Sequence, residues 1–192
     1  MNDIRKVLSY NDILLCPRHS DLDHLSDADI NYQYNSFNSV PVINAPMNTV
    51  CSPELLNLLH NHFNMPVTIH RWFDSASEQI DFFKKCNFSY PMTNVFLAVG
   101  NVTKWKEWID TLIKYVEQES QPLGFLVDVA NGDTKQTVET VKYIKGTTSL
   151  NIMAGNIATK SGFERLQKAG ANFIRCGIGG GSICETDRKS VV

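Results

Sequence analysis

Beyond about residue 40 the chain alternates short apolar runs with longer amphipathic stretches. The runs are VPVINA from Val40, MPVTIH from Met65, NVFLAVG from Asn94, GFLVDVA from Gly124, LNIMAGN from Leu150 and NFIRCGI from Asn172. Each is short and nearly continuously apolar, the pattern of a strand covered by helices on a parallel sheet. Between them lie helical patterns. Ser52 and Pro53 offer an N-cap and a first helical residue for a helix over 53–63. Ser75 and Glu78 have capping-box spacing before a helix to Cys86, and further helices are expected over 104–119, 134–145 and 161–169, the last closed by Gly170. The first 40 residues read as loop.

Six strand runs alternating with five helical patterns, with strand starts roughly 21–29 residues apart, are the rhythm of a parallel α/β fold. Two architectures fit. An open, doubly wound sheet of six strands would be complete at this length, whereas a (β/α)₈ barrel at about 26 residues per unit needs roughly 210 residues beyond Val40. The chain supplies 152, so length alone favours the open sheet.

Composition narrows the class. With 192 residues, 43% hydrophobic and 20% charged, the chain can bury a sizeable core and is not a disordered or low-complexity scaffold. A net charge of −2 without a basic run argues against nucleic-acid binding. No apolar stretch reaches membrane-span length, and Asp3, Arg5 and Lys6 interrupt the N-terminus, so neither anchor nor export signal is expected. Five cysteines, Cys16, Cys51, Cys86, Cys176 and Cys184, form no CxxC pair and leave one over. That argues against a disulfide framework or a structural zinc and fits a reducing cytoplasm.

In either architecture ligands gather at the carboxyl ends of the strands. Those positions read Ala45 to Thr49, His70-Arg71, Gly100-Asn101, Asp128 to Gly132, Ala154-Gly155-Asn156 and the loop GIGGGSICET from Gly177 to Thr186. Turns and helix ends explain most of them singly. The glycine loop stands out because it can turn several backbone N–H groups onto an anion while presenting the Cys184 thiol beside it. It comes after the sixth run and has Ser182 at the third glycine position, so a dinucleotide GxGxxG fingerprint is a poor match. Cys16, Cys51, Cys86 and Cys176 are expected as small buried hydrophobes. His60 and His62 lie two apart on a helix and face different ways, which disfavours a metal pair, and His19 and His24 are expected to face solvent.

The loop Gly177, Gly179, Gly181, Ser182, Cys184, Thr186 resembles the signature of the IMP dehydrogenase and GMP reductase family. The resemblance extends in order through LSYNDILLCP from Leu8, NAPMNTV from Asn44, IHR from Ile69, DVANG from Asp128 and AGNIAT from Ala154. It implies a TIM barrel in place of the open sheet, with residues 1–39 as an N-terminal extension and 40–192 as barrel units one to six, ending in the cysteine loop.

By the same resemblance, Cys184 is the nucleophile that forms a thioimidate at carbon 2 of the purine, and Thr186 assists proton transfer. Met47, Ser182 and Asn156 contact the nucleotide. Arg71, Asp128, Val129, Ala130, Ile178 and Gly179 line the cofactor, and carbonyls of Gly179, Gly181 and Cys184 match a potassium loop. DVANG and the lack of an insertion after the second unit point to a GMP reductase using NADPH. An IMP dehydrogenase without its regulatory module, using NAD, and a non-catalytic binding or assembly fragment are the alternatives. The resemblance implies a cytoplasmic homo-oligomer, a tetramer, with GMP or IMP as ligand, or assembly with a complementary C-terminal fragment carrying the seventh and eighth units. Asn11 and Asn48 stand where the family often has Asp, Arg71 where many reductases have Lys, and Asp187 where Arg commonly comes after the threonine.

Overall fold

The structure is a computed structural model that describes residues 14, 16–34, 37–118 and 123–178. A 3-10 turn at Leu25–Asp27 precedes a small antiparallel hairpin, β1 (Tyr32–Tyr34) and β2 (Phe37–Ser39), within the stretch expected to be loop. Then come α1 (Pro53–Asn57), β3 (Val67–Ile69), α2 (Ala76–Lys85), β4 (Val95–Val99), α3 (Val102–Gln118), β5 (Gly124–Asp128), α4 (Lys135–Thr147), β6 (Ile152–Ile157), α5 (Lys160–Ala169) and β7 (Phe173–Cys176). Among the described residues no helix is long and apolar enough to cross a membrane.

The capping signals act as the sequence suggests. Ser52, Ser75, Thr134 and Thr159 each accept a hydrogen bond from a backbone N–H three residues on, and Gly170 closes α5 at φ 107°. Glu78 reaches past Ser75 to accept from the Asp74 N–H at 3.0 Å. The expected helix over 53–63 changes winding after Asn57 and continues as a π-helical turn, Leu58–His62. There the buried His60 ring is held by the Ser89 carbonyl at 2.9 Å, while His62 is exposed. His19 and His24 are exposed as expected.

Strand order decides between the two architectures. β3 to β7 form one parallel sheet in strict sequence order, with no switch point of the kind an open doubly wound sheet requires. Side chains alternate across it. Val95, Leu97, Val99, Phe125, Val127, Ile152 and Ala154 face the helices and share a core with Leu56, Ile80, Phe83, Ile109, Leu112, Val141, Ile144 and Leu166 of α1 to α5. Phe96, Ala98, Leu126 and Met153 point the other way and form a separate buried cluster with Ile43 and Phe173 against it. All five helices therefore lie on one face, which is the wall of a barrel.

The first expected strand, from Val40, is not one of the five. Its place beside β3 is taken by a side chain: Asn44 Oδ1 accepts from the Thr68 N–H at 2.7 Å and Asn44 Nδ2 donates to the Thr68 carbonyl at 3.0 Å. The Thr68 hydroxyl returns a bond to the Asn44 carbonyl at 3.1 Å. Pro41 and Pro46 lack the N–H groups a ladder needs, and the asparagine amide satisfies the β3 backbone instead. Two cysteine expectations are also corrected. Cys51 and Cys86 are buried, but Cys16 and Cys176 are exposed, Cys16 in a solvent-facing segment without regular secondary structure and Cys176 at the end of β7, whose residues are only partly covered.

Candidate functional site

The inward-facing rows of the sheet end in polar residues at the carboxyl ends of the strands. Register places Ala98, Leu126, Met153 and Phe173 in one row, and Asp128, Gly155 and Arg175 in the next. Asp128 and Arg175 thus share a face with a single residue between them. Because that residue is glycine, the Arg175 guanidinium reaches across β6 and donates to Asp128 Oδ1 at 3.0 Å. A Cβ on Gly155 would stand 2.5 Å from the Arg175 carbonyl oxygen, and its φ of +152° belongs to glycine.

Arg71, two residues beyond β3, approaches Asp128 from the other side. Its Nε donates to the Asp128 carbonyl at 3.2 Å and lies 3.6 Å from the carboxylate. Its guanidinium carbon sits 4.4 Å from the centre of the Trp72 ring and 5.5 Å from that of Trp105. The close approach of Trp105 requires Gly100, where a Cβ would fall 2.5 Å from the indole nitrogen. One carboxylate is therefore shared by two guanidiniums. Burial pushes the Asp128 carboxyl above its usual range, against the opposing pull of Arg175 and then Arg71.

His70 fixes the turn. It is buried, stacked on Phe73 at 4.2 Å, and its Nδ1 accepts the Trp72 backbone N–H at 3.1 Å, so the ring proton resides on Nε2. Burial lowers its pKa from 6.5. The folded protein then binds this proton less well than the unfolded chain. The stability His70 contributes is complete above about pH 6.5 and is lost as pH falls through the lower folded-state value. Urea midpoints measured between about pH 7.5 and about pH 5 should show this decline, and His70→Gln should flatten it.

The strand ends are tied together behind this row. The Val129 N–H donates to the Gly155 carbonyl at 3.0 Å, the Asn156 N–H to the Val129 carbonyl at 2.8 Å and the Gly132 N–H to the Asn156 carbonyl at 2.6 Å. Asn156 Nδ2 donates to the Gly177 carbonyl at 2.9 Å, which holds the entrance of the glycine loop against β6. With its N–H occupied, Val129 presents a half-buried side chain beside that of Ala130. Ile178, also half-buried, comes directly after Gly177.

Arg71, Asp128, Val129, Asn156 and the start of the glycine loop are thus joined, with Ala130 and Ile178 next in sequence. Met47 lies in a different loop, at a turn where its carbonyl accepts from the N–H groups of Val50 and Cys51; its side chain is 51% exposed, and its neighbour Asn48 is exposed too. Gly179, Gly181, Ser182, Cys184, Thr186, Asp187 and Asn11 lie outside the described residues. Among the described residues no cluster of three or more His, Cys, Asp or Glu side chains could hold a metal ion. The sequence reading missed Arg175, Trp72 and Trp105. Arg175 left a signal, since it is the charge inside an apolar strand run. The tryptophans left none.

The family model for the IMP dehydrogenase / GMP reductase domain matches residues 7–192. This chain belongs to that family. Within the IMP dehydrogenase / GMP reductase family it is 30% identical to mouse GMP reductase 2 over all of its own length and 54% of that protein. To a Caenorhabditis elegans GMP reductase it is 32% identical over 96% of its length and 52% of that protein. Its structure is similar to that of inosine 5' monophosphate dehydrogenase from Legionella pneumophila, with a TM-score of 0.75 and 31% identity over 96% of this chain and 55% of that one. The chain spans about half the length of the curated relatives it matches.

Proposed function

We propose that this chain forms units one to six of the barrel of a purine nucleotide oxidoreductase, and that the reaction is that of a GMP reductase. The strongest support is the meeting of separated family segments at one end of the sheet: IHR, DVANG, AGN and the entrance of the glycine loop are linked there through Arg71, Asp128, Arg175, Asn156 and Gly177. The remaining barrel units, on the same or another polypeptide, complete the nucleotide site.

In this reading the Cys184 thiolate attacks carbon 2 of GMP. A carbon–sulfur bond forms, and the exocyclic amine leaves as ammonia with a proton relayed through Thr186. NADPH, when bound, supplies the hydride that reaches the same carbon. The carbon–sulfur bond then breaks, the thiolate is restored and IMP departs; the balance is GMP, NADPH and a proton to IMP, NADP⁺ and ammonia. Ser182 and the loop amides hold the phosphate, Met47 packs on the base, and Asn156 fixes the loop entrance. Arg71, Asp128, Val129, Ala130, Ile178 and Gly179 line the cofactor, whose flat amide-bearing ring suits apolar Val129 and Ala130 next to charged hydrogen-bonding groups. Potassium on the carbonyls of Gly179, Gly181 and Cys184, assembly as a homo-oligomer and a cytoplasmic location belong to the same proposal.

A second reading, oxidation of IMP with NAD, is favoured by the Legionella structural likeness. Against it, α2 comes directly after β3, with no inserted module between β3 and β4.

Thiol reactivity tests the nucleophile. Cys86 is a built-in inert reference, its pKa pushed up to about 12 by burial, whereas Cys16 and Cys176 report simple exposure. In a brief alkylation with subsequent peptide mapping, Cys184 should be labelled faster than Cys16 and Cys176, and Cys86 last. Labelling of Cys184 no faster than that of Cys86 removes the nucleophile assignment.

A further inference from the structure

Trp72 is 59% exposed although it stands directly after a buried residue, His70, and the Arg71 side chain, which is only 20% exposed. Its exposure is built in. The Trp72 N–H is pinned to His70 Nδ1, His70 is clamped flat on Phe73, and the Arg71 guanidinium rests 4.4 Å from the indole centre. The indole is thereby ordered without being covered, at the carboxyl end of the sheet where Asp128 and Arg175 meet. The charges beside it do not cancel: two guanidiniums share one carboxylate, and the cluster keeps one positive charge in excess. A flat apolar surface next to a net cation suits a ligand that joins a planar heterocycle to an anionic group.

We propose that Trp72 is the stacking platform for a heterocyclic ring of the pyridine dinucleotide, with the surplus charge of Arg71 and Arg175 drawing in its phosphates. This rests on the oxidoreductase reading and adds to it a residue that the sequence motifs do not include. It also gives the arginine at position 71 a physical role: a planar guanidinium can lie along an indole while donating through Nε to the Asp128 carbonyl, which a lysine ammonium cannot do. The three tryptophans of the chain are Trp72, Trp105 and Trp108, and Trp105 and Trp108 lie 4.6 Å apart beside this cluster, so indole emission reports on the site.

The test is a titration of the purified chain with NADPH, monitored by calorimetry and by tryptophan emission, for the wild type, Trp72→Leu and Trp72→Phe. Stacking predicts quenching in the wild type, affinity lowered roughly 5- to 150-fold in Trp72→Leu, and near-wild-type affinity in Trp72→Phe. Because Trp72 is largely exposed, thermal unfolding of the variants should match the wild type. Equal affinity and equal quenching in Trp72→Leu would overturn the platform and leave the oxidoreductase reading standing. No NADPH binding by the wild type would overturn both.

Discussion

Gly155→Ala should destabilise the protein by about 2–5 kcal/mol, seen as a large drop in the urea midpoint. Two costs add. The backbone there has φ +152°, a region L side chains rarely adopt, and the new methyl carbon would lie 2.5 Å from the Arg175 carbonyl oxygen and 2.9 Å from Arg175 Cβ. A carbonyl in a parallel ladder has little freedom to withdraw, because β6 pairs with β7 at this residue. Relief would have to come from moving β7, which would part Arg175 from Asp128 and leave a partly buried carboxylate with one guanidinium instead of two. Gly146→Ala is the control. It lies in α4 with nothing within 4 Å of its Cβ position, so alanine should stabilise by about 0.5–1 kcal/mol.

Cys184→Ala should lower turnover by at least about a thousandfold while leaving purine-nucleotide binding in place. The proposed chemistry has no route to carbon 2 without a sulfur nucleophile: ammonia is a poor leaving group from an aromatic ring until addition has occurred, and alanine offers nothing to add. Thr186→Ala should be milder, about a hundred- to ten-thousandfold, because water can take over part of a proton relay. A variant that bound GMP and still turned over near the wild-type rate would remove the thioimidate from the account.

Much of this site could be read before the fold was known, for a physical reason. Strands buried on both faces must be apolar, so Val95–Val99 and Gly124–Asp128 stand out as runs, and the residues just past the end of each run lie at the ligand end of the sheet. The segment from Val40 failed the same test in reverse. It has strand composition, but its contact with β3 is made by the Asn44 side chain, and composition does not reveal which group makes a bond. The π-helical turn at Leu58–His62 was illegible too, since periodicity cannot separate it from α-helix over five residues. Open sheet and barrel differ in strand order, which no single run encodes; the family motifs settled that where length misled. Arg175 was legible as a charge in an apolar strand. Trp72 and Trp105 come together only through the three-dimensional path of two loops, and no spacing rule pairs them.

In the proposed reading, these 192 residues carry the cysteine half of a GMP reductase site. The direct measurement is NADPH oxidation by the chain combined with the C-terminal half of a GMP reductase relative, in the presence of GMP, with ammonia and IMP quantified. NADPH should be consumed with equal amounts of IMP and ammonia formed, and neither product should appear with Cys184→Ala. No consumption of NADPH with GMP, or reduction of NAD with IMP as the sole reaction, would contradict it.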